Sequence, residues 1–383
     1  MNRPLKIAVN ARFLIAGRLE GIGYFTHETL RRITAAHPDV SFTFLFDRRY
    51  DPTFIYGPNV HPVVLFPPAR HPFLWYLWFQ WAVKNHLHRH SYDLFLSPDG
   101  YTVLGSDTPS VTVIHDLAFA HFPNHVGPLV RTYYQYFVPR FAQQSQRIAT
   151  VSEASKADIM KQYGLPAEKI DVVYSAAKDL FHPLSEEEKQ HTRNTYSDGL
   201  PYFVYVGSIH PRKNVDRLLT AFDLFRRKTG IACKLVIAGR KAWSYAAVEN
   251  AWQQMTFSDD VRFTGRLDES SLNAVIASSS GLFFVSLFEG FGVPVLEGMR
   301  CGVPVVTASV SSMPEVAGNA ALLVHPEKVE DIAAAMERLL TDEDYAAQLR
   351  ARGLQQGYAF SWDDTARRLW HSCEQLLASA RNG

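Results

Sequence analysis

Short runs of apolar residues alternate with longer amphipathic stretches along the whole chain. In the first half, the apolar runs predict β-strands, and the stretches between them have the periodicity of helices. The predicted strands lie near residues 5–13, 41–47, 60–66, 92–97, 110–115, 147–151 and 170–174, and the predicted helices near 22–36, 71–89, 126–145 and 153–163. Because the strands are unbroken apolar runs rich in Val and Ile, we expect a parallel sheet covered by helices on both faces.

The same alternation restarts near residue 202, after a polar stretch at 178–201 that we interpret as an interdomain connector. Further strands are predicted at 202–207, 233–238, 261–265, 281–287, 303–307 and 320–324, followed by a helical tail over about 327–380. A chain of 383 residues is too long for one ordinary core. We therefore predict an α/β fold of two doubly wound, Rossmann-like parallel-sheet domains, at 1–180 and 198–360, facing each other across a ligand-binding cleft.

Composition narrows the class of protein. The formal net charge of +1 gives no general basic surface for nucleic acid. Residues 1–180 carry 18 Lys/Arg against 14 Asp/Glu, a mild excess that favours an anionic surface or acceptor for this half. Three widely spaced cysteines predict no disulfide framework and a reducing compartment. Without a signal-peptide segment or a run of about 18 apolar residues, we expect a cytoplasmic protein.

The most informative motif is SLFEGFGVPVLEGM at residues 286–299. Gly290 and Gly292 predict a tight loop after a buried strand, and the following proline suits the first turn of a helix. Glu289 therefore lies in the loop, and Glu297 lies about one turn into the helix. The backbone N–H groups between these carboxylates, at a helix N-terminus, form an anion site. Two acceptors beside a phosphate cradle predict a nucleotide-sugar ligand.

This motif resembles the donor-binding signature of retaining nucleotide-sugar glycosyltransferases of the GT-B fold, sugar-transferase family four, and the resemblance covers nearly the whole chain. It is strongest to bacterial mannosyltransferases that extend surface polysaccharide, which implies GDP-mannose as first donor, a UDP-hexose as second, and a saccharide or lipid-linked saccharide acceptor. It also implies that Glu289 orients the transferred sugar, that Glu297 binds ribose hydroxyls, and that Phe291 belongs to the donor loop. The last helix, about 362–380, would pack back on the first domain.

Two strand ends of the first domain carry further candidates. Gly21 and Gly23 follow the first strand and open a helix, where glycines let the backbone approach a diphosphate closely; a turn that requires positive φ is the alternative. Thr26 replaces the third glycine of a dinucleotide fingerprint, which disfavours a nicotinamide oxidoreductase. His115 and Asp116 end a buried strand. The resemblance implies that His115 touches the transferred sugar and that Asp116 faces the acceptor or supports its loop, whereas a structural histidine is the alternative.

The second domain offers a cationic loop. Arg212 and Lys213 follow its first strand and can neutralise a diphosphate, and solvated surface cations are the alternative. Asn214 is a good N-cap for the next helix. The resemblance to the transferase family implies that two strand-to-loop turns, at 236–241 and at Gly265, form the wall against which the nucleotide base lies.

Two segments raise the questions of metal and membrane. The residues Asp342-Glu343-Asp344 could be a metal-binding Asp-x-Asp pair, but their place between two helical runs predicts an N-cap, so we expect no metal and no cofactor besides the donor. The segment 72–84 is aromatic and is followed by a basic tail at 86–90. It predicts either a buried core helix or a patch that contacts the anionic inner face of a membrane.

The resulting interpretation is a metal-independent, retaining hexosyltransferase. A sugar-nucleotide epimerase of the same architecture and a non-catalytic carbohydrate-binding protein are the alternatives.

Overall fold

The computed structural model describes residues 3–240 and 246–381, and the chain divides into two compact units. Unit 1 comprises Met1–Ser175 and Trp362–Gly383, and unit 2 comprises Ala176–Ser361. Each unit is built on a parallel sheet, of seven strands in unit 1 and six in unit 2. The predicted fold class, two parallel-sheet α/β domains, is confirmed.

In unit 1 the strand order is β3-β2-β1-β4-β5-β6-β7. The strands are β1 (Lys6–Asn10), β2 (Ser41–Phe46), β3 (Val60–Val64), β4 (Leu94–Ser97), β5 (Ser110–Val113), β6 (Arg147–Thr150) and β7 (Ile170–Val172). The helices are α1 (Gly21–Ala36), α2 (Pro72–Leu77), a π-helical turn (Trp78–Val83), α3 (Lys84–His90), α4 (Ala118–His121), α5 (Pro128–Gln144), α6 (Glu153–Tyr163) and the C-terminal helix (Trp362–Arg381). The strand order reverses between β1 and β4, and open α/β sheets bind ligands at such a switch point.

In unit 2 the strand order is β10-β9-β8-β11-β12-β13. The strands are β8 (Tyr202–Val206), β9 (Lys234–Ala238), β10 (Val261–Gly265), β11 (Gly281–Phe284), β12 (Val305–Ala308) and β13 (Leu322–Val324). The helices are α7 (Glu186–Ser197), α8 (Val215–Thr229), α9 (Ala246–Gln253), α10 (Glu269–Ala277), α11 (Val293–Arg300), α12 (Met313–Ala317), α13 (Val329–Thr341) and α14 (Glu343–Gly357). Its switch point lies between β8 and β11.

The C-terminal helix packs on α1 within unit 1. The indole of Trp362 makes an edge contact with the ring of Tyr24, with 5.6 Å between centroids, and Trp370 stacks on His37 at 3.9 Å. The Thr365 hydroxyl donates to the carbonyl oxygen of Tyr174 at 2.7 Å. These contacts bring the two ends of the chain into one unit.

The aromatic segment of α2 and the π-helical turn has two faces. Trp78 and Phe79 are fully buried, so the prediction of a core helix is confirmed for this face. Phe73 and Trp81 are 64% and 61% exposed, and Tyr136 of α5 is 52% exposed. The sequence could not separate the two faces because aromatic residues occupy both of them.

Residues 178–201, interpreted from sequence as a connector, instead belong to unit 2 and contain α7. A capping box begins that helix: the backbone N–H of Glu188 donates to the Ser185 hydroxyl, and the Glu188 carboxylate accepts from the backbone N–H of Ser185. The polar composition of the segment therefore reflects an exposed helix rather than a linker.

The predicted capping role of Asn214 is also wrong. Asn214 has φ of 61° and makes no side-chain cap to α8. Its amide nitrogen instead donates to the carbonyl oxygens of Val285 at 3.0 Å and Pro326 at 2.6 Å, tying together the loops after β11 and β13. By contrast, Asp342 accepts from the backbone N–H of Tyr345 at 3.0 Å, which confirms the N-cap interpretation of its cluster.

Arg300, the last residue of α11, anchors this helix inside unit 2. Its side chain is 5% exposed. The guanidinium donates to the carbonyl oxygens of Gly357 (2.9 Å), Ala177 (3.2 Å), Lys178 (3.2 Å) and Phe360 (3.1 Å). This one buried guanidinium group thus binds carbonyl groups from both ends of the unit, and it fixes the helix that carries Glu297.

We predict that Arg300→Met lowers the free energy of unfolding by about 3 kcal/mol or more, because buried carbonyl groups lose their donors. Urea unfolding monitored by circular dichroism measures the change. Arg350→Met, which removes an exposed ion pair with Glu343, is the control and should cost less than about 1 kcal/mol. Equal losses in the two variants would contradict the anchoring role of Arg300.

Candidate functional site

Glu289 is the centre of an ion-pair cluster at the switch point of unit 2. It follows β11, whereas Arg212 and Lys213 follow the neighbouring β8. The Lys213 Nζ lies 2.6 Å from Glu289 Oε1, and the Arg212 Nη1 lies 3.0 Å from Oε2. All three side chains are mostly buried, with 9–19% of their surface exposed. The structure therefore brings these three predicted residues together, and the alternative of solvated surface cations is wrong.

The cluster holds Glu289 ionised. Burial alone would raise the pKa of the Glu289 carboxyl, but attraction to Lys213 and Arg212 outweighs it and lowers the pKa to about 2. Two cations therefore face one anion at neutral pH. These two cations lie next to the N-terminus of α11, where an anionic ligand such as a phosphate is favoured.

Two serines that the sequence analysis missed shape the loop of Glu289. The backbone N–H of Glu289 donates to the Ser311 hydroxyl oxygen at 2.9 Å. The Ser312 hydroxyl lies 2.9 Å from the carbonyl oxygen of Glu289 and 2.8 Å from that of Phe291. Both serines follow β12, which neighbours β11, so their place at the carboxyl end of the adjacent strand was the signal that could have found them.

The glycine loop leads from Glu289, through Gly290 and Phe291, into α11. Gly292 has φ of 103°, a left-handed conformation that a residue with a Cβ rarely adopts. The Phe291 ring is buried against Phe360, with 5.4 Å between centroids. The ring of Phe291 thus anchors the loop from inside.

Glu297 lies in a different environment, within α11. The residue is 8% exposed, and no described residue forms a hydrogen bond or ion pair with its carboxyl group. Burial raises its pKa to about 7, partly offset by Lys178 and reinforced by Glu269. A buried polar group without a partner is costly, so this carboxyl group is a candidate for binding a ligand.

His115 and Asp116 follow β5 in unit 1. The His115 Nε2 donates to the carbonyl oxygen of Pro98 at 2.8 Å, and its ring packs edge-on against Phe25 at 4.9 Å. Burial lowers the pKa of His115, although Pro98 and nearby carboxylates oppose this effect, so the imidazole is neutral at pH 7. Asp116 Oδ1 accepts from the backbone N–H of Ala118 at 2.9 Å, a contact that supports its loop.

The candidate glycines differ in what the fold demands of them. Neither Gly21 nor Gly23 has positive φ, so the alternative of a strained turn is wrong for both. A Cβ on Gly23 would lie 2.7 Å from the carbonyl oxygen of Phe13, whereas one on Gly21 would meet nothing within 4 Å. Gly23 thus allows α1 to approach the segment after β1. In unit 2, Gly265 ends β10 with φ of 71°, and Lys241 of the other predicted corner lies outside the described residues.

The described residues provide neither a membrane-spanning helix nor a cluster of metal-binding side chains. Within 3–240 and 246–381, no helix combines the length and apolar character needed to cross a membrane. The same residues include no group of three His, Cys, Asp or Glu side chains placed to hold a metal ion. The expectation of a metal-independent site stays a prediction.

Two family models match the chain, Glycosyltransferase Family 4 at residues 19–177 and Glycosyl transferases group 1 at residues 186–356. O-antigen chain mannosyltransferase B of Escherichia coli is 31% identical over 257 residues, 67% of this chain and 67% of that protein. Serotype-specific mannosyltransferase WbdA of Escherichia coli is 28% identical over 302 residues. The match covers 74% of this chain and 36% of the length of WbdA.

Solved structures share the fold. Sucrose-phosphate synthase from Thermosynechococcus elongatus matches with a TM-score of 0.78 at 19% identity, over 98% of this chain and 100% of that chain. Anabaena HepE in complex with UDP and glucose matches with a TM-score of 0.72 at 18% identity, over 97% of this chain and 100% of that chain. At these identities the likeness carries the fold alone, and it agrees with the predicted GT-B architecture.

We predict that Glu297→Gln stabilises the protein, and more so at pH 8 than at pH 5. The folded state holds the Glu297 proton up to a pKa of about 7, against 4.5 for the unfolded chain. Stability from this group therefore falls as pH rises from 4.5 to 7, by at most about 3 kcal/mol. A glutamine carries no such penalty. Thermal unfolding at the two pH values measures the effect.

Glu249→Gln, at an exposed position of α9, is the control for this measurement and should change stability by the same small amount at both pH values. A Glu297→Gln effect that is equal at pH 5 and pH 8 would contradict the raised pKa.

Proposed function

This chain belongs to the family 4 glycosyltransferases of the GT-B fold, and we propose that it transfers a hexose from a sugar nucleotide to a saccharide acceptor with retention of configuration. The observation that carries the proposal is the Glu289 cluster, in which one carboxylate is held by two cations at the switch point of unit 2. A sugar nucleotide carries a diphosphate that needs cations and sugar hydroxyls that need acceptors. The cluster supplies both.

GDP-mannose is the proposed first donor and a UDP-hexose the second. Two of the relatives are named mannosyltransferases of O-antigen or serotype-specific polysaccharide, which supports mannose and a role in surface polysaccharide synthesis. The HepE structure holds UDP and glucose, which keeps a UDP-hexose as the second candidate.

Binding of the donor would exchange partners within the cluster. The diphosphate oxygens compete with Glu289 for Lys213 and Arg212, so the cations turn toward the leaving group. Glu289 is then free to accept hydrogen bonds from sugar hydroxyls and to orient the anomeric carbon. Charges fixed in a partly buried site stabilise the departing diphosphate more strongly than the same charges in water.

The unpartnered carboxyl group of Glu297 supports the proposal that it binds ribose hydroxyls. Donation from ribose hydroxyls would favour the ionised form of this carboxyl group, whose pKa without ligand is about 7. Each hydrogen bond from a hydroxyl to an ionised carboxylate contributes about 1.5–3 kcal/mol, before the cost of that ionisation. The backbone near Gly265, at the end of β10, is the proposed contact for the base.

The proposed chemistry needs no covalent nucleophile. The bond from the anomeric carbon to the diphosphate oxygen breaks, and a bond to the acceptor hydroxyl oxygen forms on the same face of the sugar. The acceptor proton passes to the leaving diphosphate. Two further roles stay predictions: contact of His115 with the transferred sugar, and contact of Asp116 with the acceptor.

A lipid-linked acceptor and peripheral contact with a membrane belong to the same proposal. The exposed aromatic rings of Phe73, Trp81 and Tyr136 support it, because such rings favour the interface between lipid and water. They lie in unit 1, whose charge excess is positive by sequence.

We predict that Lys213→Ala lowers kcat by about 100- to 1,000-fold, because it removes one fixed charge from the leaving group. Glu289→Ala should abolish transfer. Product formation from GDP-mannose or UDP-glucose, measured by mass spectrometry with mannose oligosaccharides as acceptors, tests both variants, and circular dichroism checks their folding.

Lys228→Ala is the matched control, because Lys228 pairs with Glu337 on the surface of the same unit. It should retain wild-type activity. Near-normal turnover by Glu289→Ala would contradict the proposal. Conversion of the donor into an isomerised sugar without acceptor would identify an epimerase instead, and a lack of stabilisation by every sugar nucleotide would favour a non-catalytic binding protein.

A further inference from the structure

A buried ion pair occupies the switch point of unit 1. Arg12 lies two residues past β1, and Asp99 lies two residues past the neighbouring β4. The Arg12 Nε donates to Asp99 Oδ2, and the two residues are only 6% and 7% exposed. Neither residue belongs to a motif that is recognisable from the sequence. Their position corresponds to that of the Glu289 cluster in unit 2, at the carboxyl edge where the strand order reverses.

Aromatic rings surround the Arg12 guanidinium. Its central carbon lies 4.2 Å from the ring centroid of Tyr101, 4.7 Å from that of Phe13 and 5.3 Å from that of Phe79. Burial would lower the pKa of Arg12, but Asp99 and Tyr101 raise it above its usual value, so the cation persists. Because Asp99 balances this charge, the pair as a whole is neutral.

The cluster has polar groups that the protein does not satisfy. A guanidinium carries five N–H donors. Among the described residues, the partners of Arg12 are the Asp99 carboxylate and the Tyr101 hydroxyl, which leaves N–H donors unused. The Tyr133 hydroxyl, near enough to interact with Arg12 and Asp99, is buried without a hydrogen-bond partner. A buried, unpartnered hydroxyl in a native interior indicates a missing ligand or water.

His115 adds an acceptor to the same edge. Its Nε2 must donate to the carbonyl oxygen of Pro98, the residue before Asp99, so in the neutral imidazole Nδ1 carries no proton and can accept. His115 follows β5, which pairs with β4. Residues after three neighbouring strands thus converge. They offer donors from Arg12 and acceptors from Asp99 and His115, and the charges of Arg12 and Asp99 balance each other.

We infer that Arg12 and Asp99 bind hydroxyl groups of a neutral saccharide, the acceptor of the proposed transfer reaction. Asp99 accepts from Arg12 through Oδ2, and from the Ser97 hydroxyl (3.2 Å) and the backbone N–H of Tyr101 (3.4 Å) through Oδ1, which leaves one of its four acceptor sites. A hydroxyl both accepts and donates, so it can use the spare N–H groups of Arg12 and this remaining acceptor site of Asp99 together. A phosphate suits the pair poorly, because Asp99 already neutralises the cation and would repel a second anion. The inference rests on the proposed function, since it names the class of acceptor.

Binding of a sugar probe to the full chain tests this inference. The probe is methyl α-D-mannopyranoside, titrated by NMR, with mannose 6-phosphate as its anionic counterpart. We expect Arg12→Gln and Asp99→Asn to weaken binding of the neutral probe at least tenfold, about 1.4 kcal/mol. Arg12→Lys, which keeps the charge but loses the fork, should weaken it less and keeps the test decisive if Arg12→Gln fails to fold.

Arg147→Gln is the matched control, because it removes an arginine–aspartate pair with Asp171 at the opposite, amino end of the same sheet. It should bind the probe like wild type. No binding by wild type, unchanged binding by Arg12→Lys and Asp99→Asn, or tenfold tighter binding of the phosphate would overturn the inference.

Donor binding is measured separately, through thermal stabilisation by GDP-mannose and UDP-glucose. We expect sugar nucleotides to stabilise Asp99→Asn as much as the wild type, although this variant binds the neutral probe more weakly. That combination would support the inference. If no sugar nucleotide stabilises the wild type, the proposed function fails, whatever the probe shows.

Discussion

The site in unit 2 depends on the cost of burying a negative charge. Glu289 is nearly removed from water, and an isolated carboxylate there would take up a proton. It stays ionised because Lys213 and Arg212 reach it from the loop after the neighbouring strand. That requirement fixes the conformations of both loops at the switch point. In the proposed function, the same contact also holds two cations where the diphosphate of the donor would bind them.

Glu297 is also a buried carboxyl group, but its pKa shifts in the opposite direction. It has no cation in direct contact, and its pKa rises to about 7 instead of falling. Arg300 holds the end of the same helix through several carbonyl groups. Two carboxyl groups eight residues apart therefore have opposite pKa shifts: Glu289 is paired with cations of the protein, and Glu297 has no partner among the described residues. Unit 1 has a related arrangement, since the Arg12–Asp99 pair is balanced in charge but not in hydrogen bonds.

The elements were predictable from the sequence because buried parallel strands are unbroken apolar runs, as at Tyr202–Val206. The motif around Glu289 could be placed because glycine and proline restrict the backbone locally. The residues that contact each site residue could not be predicted in this way, because they are distant in the sequence. Ser311 and Ser312 lie more than 20 residues from Glu289, and the Arg12–Asp99 pair joins residues 87 apart. Asn214 was misassigned because its usual capping chemistry was overridden by two carbonyl groups from distant loops.

A crystal structure of the protein with GDP-mannose would test the central claim most directly. The account predicts that Lys213 and Arg212 contact the diphosphate, that Glu289 accepts from hydroxyls of the mannose, and that Glu297 contacts the ribose. A bound donor whose diphosphate lies away from Lys213 and Arg212, with the Glu289 ion pairs unchanged, would contradict it.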